Sequence, residues 1–182
     1  MKSLVIVEHD NKSIKPSTFS TITASSELGE ETYAIIVGHK IEAALEELKK
    51  SNILKKIFYF DNEDFKSPIA EKIQEFVLSF LNGKDFTHIL SPSTTFGKNI
   101  SPKIATELDV QQISDIIKII DENTFERPIY AGNAIAKVRS NDEVKVITVR
   151  PTCFEPCQLD SNVECENISF DNNSEKTVNF VN

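Results

Sequence analysis

Thr87-His88-Ile89-Leu90-Ser91-Pro92-Ser93-Thr94-Thr95-Phe96-Gly97-Lys98-Asn99 is the stretch from which the fold of this chain can be read. Its first half is a short apolar run of the kind buried on both faces of a parallel sheet. It then changes to small hydroxyl residues and reaches Gly97-Lys98 at the expected start of a helix. A strand that passes through such a loop into a helix can present backbone N–H groups to an anion or to a neighbouring domain.

The same grammar repeats upstream. Residues 4–7, 33–37, 56–60 and 88–90 read as short buried strands. Pro16 suits the first turn of a helix that carries Phe19, Ile22 and Leu28 inward. Ile41, Ala44, Leu45 and Leu48 fall on one helical face, which ends at Lys49-Lys50, where cations suit the helix dipole. Ser67-Pro68 reads as N-cap and first helical residue, ahead of a stripe of Ile69, Ile73, Phe76, Val77, Phe80 and Leu81 that Asn82-Gly83 closes. The helix after residue 97 carries Ile100, Ile104, Ala105 and Leu108, with Pro102 expected in its first turn. Four strand–helix pairs in a row imply an α/β fold: a three-layer, mainly parallel Rossmann-like sheet with right-handed crossovers.

After Asp109 the spacing leaves no room for helices. Residues 115–120, 124–130, 133–138 and 144–149 are strand-like, with turn residues at Gly132-Asn133 and Asn141-Asp142, and predict antiparallel hairpins that continue the sheet. Ile116, Ile117, Ile119 and Ile120 cannot all face one core, so an exposed apolar surface is expected here. Residues 1–152 are read as the domain and residues 153–182 as an acidic linker. No helix or strand period is expected over 155–175, with at most a weak strand at the very end.

With 182 residues, 40% of them hydrophobic, the chain can bury a core without disulfides. A net charge of −8 and the lack of a Lys/Arg cluster argue against nucleic acid as partner. No apolar run reaches the length of a membrane span, and the first residues enter a strand directly, so neither membrane insertion nor a leader is expected. Cys153, Cys157 and Cys165 have no standard zinc spacing and no nearby histidine, which favours reduced thiols over a metal or redox site.

Gly97-Lys98 invites comparison with a phosphate-binding loop, which needs a glycine five positions earlier and Ser/Thr directly after the lysine. Pro92 and Asn99 stand at those places. A weaker expectation survives: Thr94, Thr95, Gly97 and Lys98 as a candidate ligand or interdomain loop. His9, between Glu8 and Asp10, has the surroundings of a general base, but no nucleophile is positioned by sequence to use it. His39 and His88 are isolated, so no metal and no catalytic residue are assigned. Arg127, Lys137, Arg139 and Arg150 lie in the strand-rich part, where solvated faces and local ion pairs explain them.

Three blocks in order, residues 93–99, Gln112-Ile113-Ser114-Asp115, and Arg127-Pro128-Ile129-Tyr130-Ala131-Gly132-Asn133-Ala134, resemble the amino-terminal domain of the electron transfer flavoprotein α subunit over roughly residues 3–152. The resemblance implies an adenine nucleotide α-hydrolase-like fold and a scaffold role in an electron carrier rather than an enzyme. It implies FAD in a following domain, whose characteristic segments do not occur here, and AMP in a partner β subunit. Implied partners are that β subunit and, through the complete complex, flavin dehydrogenases and a quinone reductase, as in fatty acid β-oxidation. The implied location is the bacterial cytoplasm or the mitochondrial matrix. The alternative is a self-sufficient small nucleotide-binding module of the same fold.

Overall fold

The computed structural model describes residues 1–29 and 31–170. Its central sheet has seven parallel strands in the order β10-β3-β2-β1-β4-β9-β5. These are β1 (Lys2–Ile6), β2 (Glu31–Gly38), β3 (Lys56–Asp61), β4 (His88–Pro92), β5 (Gln112–Ile116), β9 (Lys145–Val149) and β10 (Cys165–Asn167). The helices are α1 (Pro16–Ser26), α2 (Glu42–Leu48), α3 (Ala70–Leu81) and α4 (Thr95–Glu107). Strands β1, β4 and β9 are buried almost throughout because both sheet faces are covered. Val5, Ile22, Ala44 and Leu48 pack on one side; Ile6, Phe76, Val77 and Ile104 pack on the other. The α/β three-layer expectation holds.

The serine- and threonine-rich α1 is held as a helix by its buried Phe19, Ile22 and Ala24, and its hydroxyls are satisfied on its own carbonyls. Thr21 donates to Ser17 O (2.8 Å), and Ser26 donates to Thr23 O (2.7 Å). Two helix starts differ from expectation. Neither Ser67 nor Pro68 begins α3, which starts at Ala70 after an extended Ile69 that makes no side-chain cap. The extended run carries the chain away from Phe65, which is buried 3% exposed in the core. Pro102 lies inside α4 rather than in its first turn. Only Ser93 and Thr94 separate β4 from that helix, so it starts seven residues before the proline.

The hairpins form a sheet of their own: β6 (Lys118–Asp121), β7 (Thr124–Ile129) and β8 (Ala134–Arg139), antiparallel in the order β6-β7-β8. Their flanking strands β5 and β9 do continue the main sheet, and in parallel. Phe125 is fully buried against the α1/α2 side of the core. His88 ties the two sheets together. Its Nε2–H donates to Glu122 O (2.8 Å), and its Nδ1 accepts from the Thr87 hydroxyl (2.8 Å).

The absence of a strand period over 155–175 did not foretell β10, which pairs with the free edge of β3. The acidic residues there have a local use: Lys56 bridges Glu164 (3.0 Å) and Glu166 (2.9 Å) across the pair. Phe154, Cys157 and Val163 are buried on the way. The weak strand expected at the chain end, with Asp171, Glu175 and Lys176, lies outside the described residues.

Candidate functional site

In an open parallel sheet, ligands bind at the carboxyl ends of the strands, where the chain reverses its direction of winding. Here that point lies between β1 and β4. Four loops meet near it, and each is held by the chain's own polar groups.

The loop after β1 folds on Asp10, whose carboxylate accepts from Lys12 N (3.1 Å), Ser13 N (2.9 Å) and Lys15 Nζ (2.8 Å). The Lys15 ammonium and these backbone donors hold its carboxyl well below the usual carboxylate range. His9 Nδ1 accepts from Asn11 N (3.0 Å), so its proton sits on Nε2 and is donated to Val37 O (3.0 Å). Burial lowers its pKa, outweighing that backbone bond, and keeps the ring neutral. Both nitrogens are occupied, so His9 clamps a loop and has no free nitrogen to act as a base. Gly38 makes the clamp feasible: a Cβ there would meet Asn11 Oδ1 at 2.4 Å and His9 Cε1 at 2.7 Å.

Glu8 and Asp61 fill the places an anion would take. The Glu8 carboxylate accepts from Ser17 Oγ (3.0 Å), at the start of α1, and from Thr94 Oγ1 (2.9 Å), at the start of α4. Asp61 accepts from Lys40 N and Ile41 N (2.8 Å each), the N–H groups that lead into α2. The sequence reading missed both roles. An acidic residue just past an apolar strand was the available signal.

Among the expected loop residues, Thr94 is therefore the N-cap of α4 and the tie to Glu8. Gly97 is buried, and a Cβ at that position would lie 1.9 Å from Pro92 O, so the glycine lets helix and strand end approach. Thr95 and Lys98 are exposed. Beyond β4, Asp115 occupies a bulge in β5 with φ +60° and is paired through both oxygens with Arg150 Nε and Nη2. Burial pushes the Asp115 carboxyl up, but Arg150, together with the nearby Ser93 and Lys98, outweighs it and holds the pKa below its ordinary value. Arg150 thus forms the local ion pair that the sequence suggested.

Beside these loops, at the ends of β1 and β2, lies a cavity of about 280 Å³ walled by Phe65, Phe76 and Phe96, with His9, Asn11 and Lys66 at its rim. Its walls are apolar, and the sequence reading did not find it, although twelve phenylalanines in the chain were a hint. Cys157 lies 3.3 Å from Ser51 Oγ, and burial raises the pKa of both Cys157 and Cys165. No group of three metal-ligating side chains occurs among the described residues, and no described helix is long and apolar enough to cross a membrane.

Fold and site together define a Rossmann-like α/β domain whose strand ends are braced from within. The chain belongs to the electron transfer flavoprotein family: the electron transfer flavoprotein domain matches residues 3–176. It is similar to the electron transfer flavoprotein subunit alpha of Pseudomonas aeruginosa, 39% identical over 155 residues, covering 85% of this chain and 50% of the relative. It is also similar to the mitochondrial subunit alpha of Dictyostelium discoideum (42% over 158 residues, 84% and 44%) and to the probable mitochondrial subunit alpha of Caenorhabditis elegans (34% over 165 residues, 91% and 50%). The chain spans about half the length of these relatives and matches their amino-terminal part. Electron transport by a flavoprotein is the activity these names carry.

A flavin dinucleotide does not fit the described strand ends. Its diphosphate needs free N–H groups at a helix start. Lys40 N–H and Ile41 N–H, leading into α2, are taken by Asp61, Gly97 N–H in α4 turns to the Thr94 hydroxyl, and the Glu8 carboxylate, held by the Ser17 and Thr94 hydroxyls at the starts of α1 and α4, would repel a phosphate there.

Proposed function

We propose that residues 1–152, with the segment through β10 added at the sheet edge, form the scaffold domain of an electron transfer flavoprotein α subunit. The single observation that carries this reading is the bracing of the strand ends by Glu8 and Asp61 within a chain of this family. In this reading the chain beyond β10 leads toward a second domain that holds FAD, and the domain packs against a β subunit that holds AMP. The whole carrier takes electrons from flavin dehydrogenases, as in fatty acid β-oxidation, and passes them to a quinone reductase or similar acceptor. Such a carrier resides in the cytoplasm of bacteria or in the mitochondrial matrix. This chain supplies no catalytic residue, and Thr94, Thr95, Gly97 and Lys98 serve helix start and domain contact rather than a cofactor. The test is the visible spectrum of the purified 182-residue chain: no flavin absorbance is expected, and stoichiometric flavin released on denaturation would overturn the reading.

The aromatic cavity favours a second reading, a self-sufficient nucleotide-binding module. A base would enter between Phe65, Phe76 and Phe96, with its phosphate directed to Lys66 rather than to α4. Equilibrium dialysis against AMP separates the two, since the scaffold reading expects no saturable binding.

A further inference from the structure

We infer that the cavity at the ends of β1 and β2 is a binding site for a small uncharged aromatic molecule. The inference stands apart from the scaffold reading and gives this domain a ligand that is neither a flavin nor a nucleotide. The cavity measures about 280 Å³ and is walled by Ile6, Val37, Phe65, Ile73, Phe76 and Phe96. A dry apolar hole of about 150 Å³ holds benzene, so this one has room for a body up to about twice that size. Its lining reaches solvent where Phe96 is half-buried and Pro68 is exposed.

The walls are fixed before any ligand arrives. Phe65 stands edge-on to Phe60 (5.9 Å, 82°), and Phe76 stands edge-on to Phe170 (5.5 Å, 85°). Neither Phe60 nor Phe170 lines the cavity, so these two rings hold its walls from behind. Phe65 and Phe76 also meet each other at 5.8 Å and 64°. A flat ring beside them extends the same edge-to-face packing, which favours an aromatic body over a flexible aliphatic one. Water in such a place finds few polar partners, and an apolar body displaces it at a gain.

The polar rim sets the charge of the ligand. His9 spends both ring nitrogens, on Asn11 N and Val37 O. Asn11 Nδ2 donates to Lys66 O (3.3 Å), and its Oδ1 accepts from His39 N (3.2 Å). Among the described residues that line the cavity, no buried side-chain polar atom lacks a hydrogen-bond partner. A nucleobase would therefore bury the donors and acceptors of its edge unpaired. The charges around the mouth are mixed. Lys66 follows Glu63 and Asp64 in one turn, Lys72 reaches back to Asp64 O (3.1 Å), and Asp10 is bonded to Lys15 (2.8 Å). A phosphate or carboxylate would meet carboxylates there as well as ammonium groups. A neutral ring without hydrogen-bonding groups meets all of these conditions.

The test is titration of fluorobenzene into the 182-residue chain, followed by fluorine NMR, with Ile73→Phe as a cavity-filling variant and a thermal melt as its folding control. The parent should bind saturably with a dissociation constant below about 1 mM, and Ile73→Phe at least about tenfold more weakly. The methyl resonances of Val7 and Val77, which line the cavity, locate the probe without any substitution and should shift on binding. Neither phenyl phosphate nor AMP should displace the probe. No saturable binding by the parent, unmoved Val7 and Val77 methyls, or parent-like binding by folded Ile73→Phe would overturn the site and leave the scaffold reading standing. Displacement by phenyl phosphate would overturn the uncharged class alone. Displacement by AMP would overturn both this inference and the scaffold reading.

Discussion

Gly97 shows how much a single residue can owe to its surroundings. Sequence marks a glycine at a helix start and suggests a ligand; the neighbouring Pro92 oxygen, which would lie 1.9 Å from a Cβ at that position, supplies the actual reason. Gly97→Ala is expected to destabilise by about 3 kcal/mol, because backbone on both sides must shift, and a urea titration reads it directly. A small effect there would return the glycine to ligand duty. The histidines follow similar logic. Burial lowers the pKa of His9 and His88, so the folded rings stay neutral where the unfolded chain takes up protons. A depressed histidine gives stability that is full above the unfolded value and is lost as pH falls below it. Stability is therefore expected to drop as pH falls below about 6.5, by up to about 1.4 kcal/mol per pH unit for each ring. Urea midpoints measured from pH 7.5 to 5 check this, and His9→Gln should flatten the slope. His88→Leu should cost about 1–3 kcal/mol at pH 7, since Glu122 O loses its buried donor and the two sheets lose their tie.

At the scale of elements, what the sequence revealed depended on whether the signal was local. The apolar stripes of α2 and α3 and the flat runs of β1, β2 and β4 record burial in their own spacing, so they were legible. The partners that stop or start an element are distant, and those were missed. Pro102 looked like a first-turn residue because the seven-residue lead from Thr94 depends on a two-residue loop. β10 has almost no apolar content; it exists because β3 offers an edge and Lys56 offers charge. The candidate site was legible only in outline. The loop at 93–99 was found, but its occupation by Glu8 depends on a bond between residues 86 positions apart. Pro102 also yields a prediction. It removes one helical N–H from α4 at an exposed position, so Pro102→Ala should stabilise the chain by about 1–2 kcal/mol, visible as a raised thermal midpoint. A lowered midpoint would mean that α3 and α4 pack on the proline ring.

At the scale of the whole molecule, the parallel sheet and the small sheet divide the work. The first is closed on both faces and braced at its strand ends, while the second stands out from it. The four isoleucines expected to overflow one core do divide: Ile116 is fully buried, Ile117 is half-buried, Ile119 packs on the core and Ile120 is 39% exposed. Ile120→Lys should therefore leave the melting midpoint unchanged and weaken association with the β subunit, whereas Ile116→Lys should unfold the domain. In the proposed reading this domain is a scaffold for a partner and not a cofactor site of its own. Sedimentation velocity of the 182-residue chain, alone and with the cognate β subunit, tests it most directly. A one-to-one complex that forms with no flavin or nucleotide on this chain is the predicted result. A chain that sediments as the same monomer with and without the β subunit, even at high concentration, would contradict it.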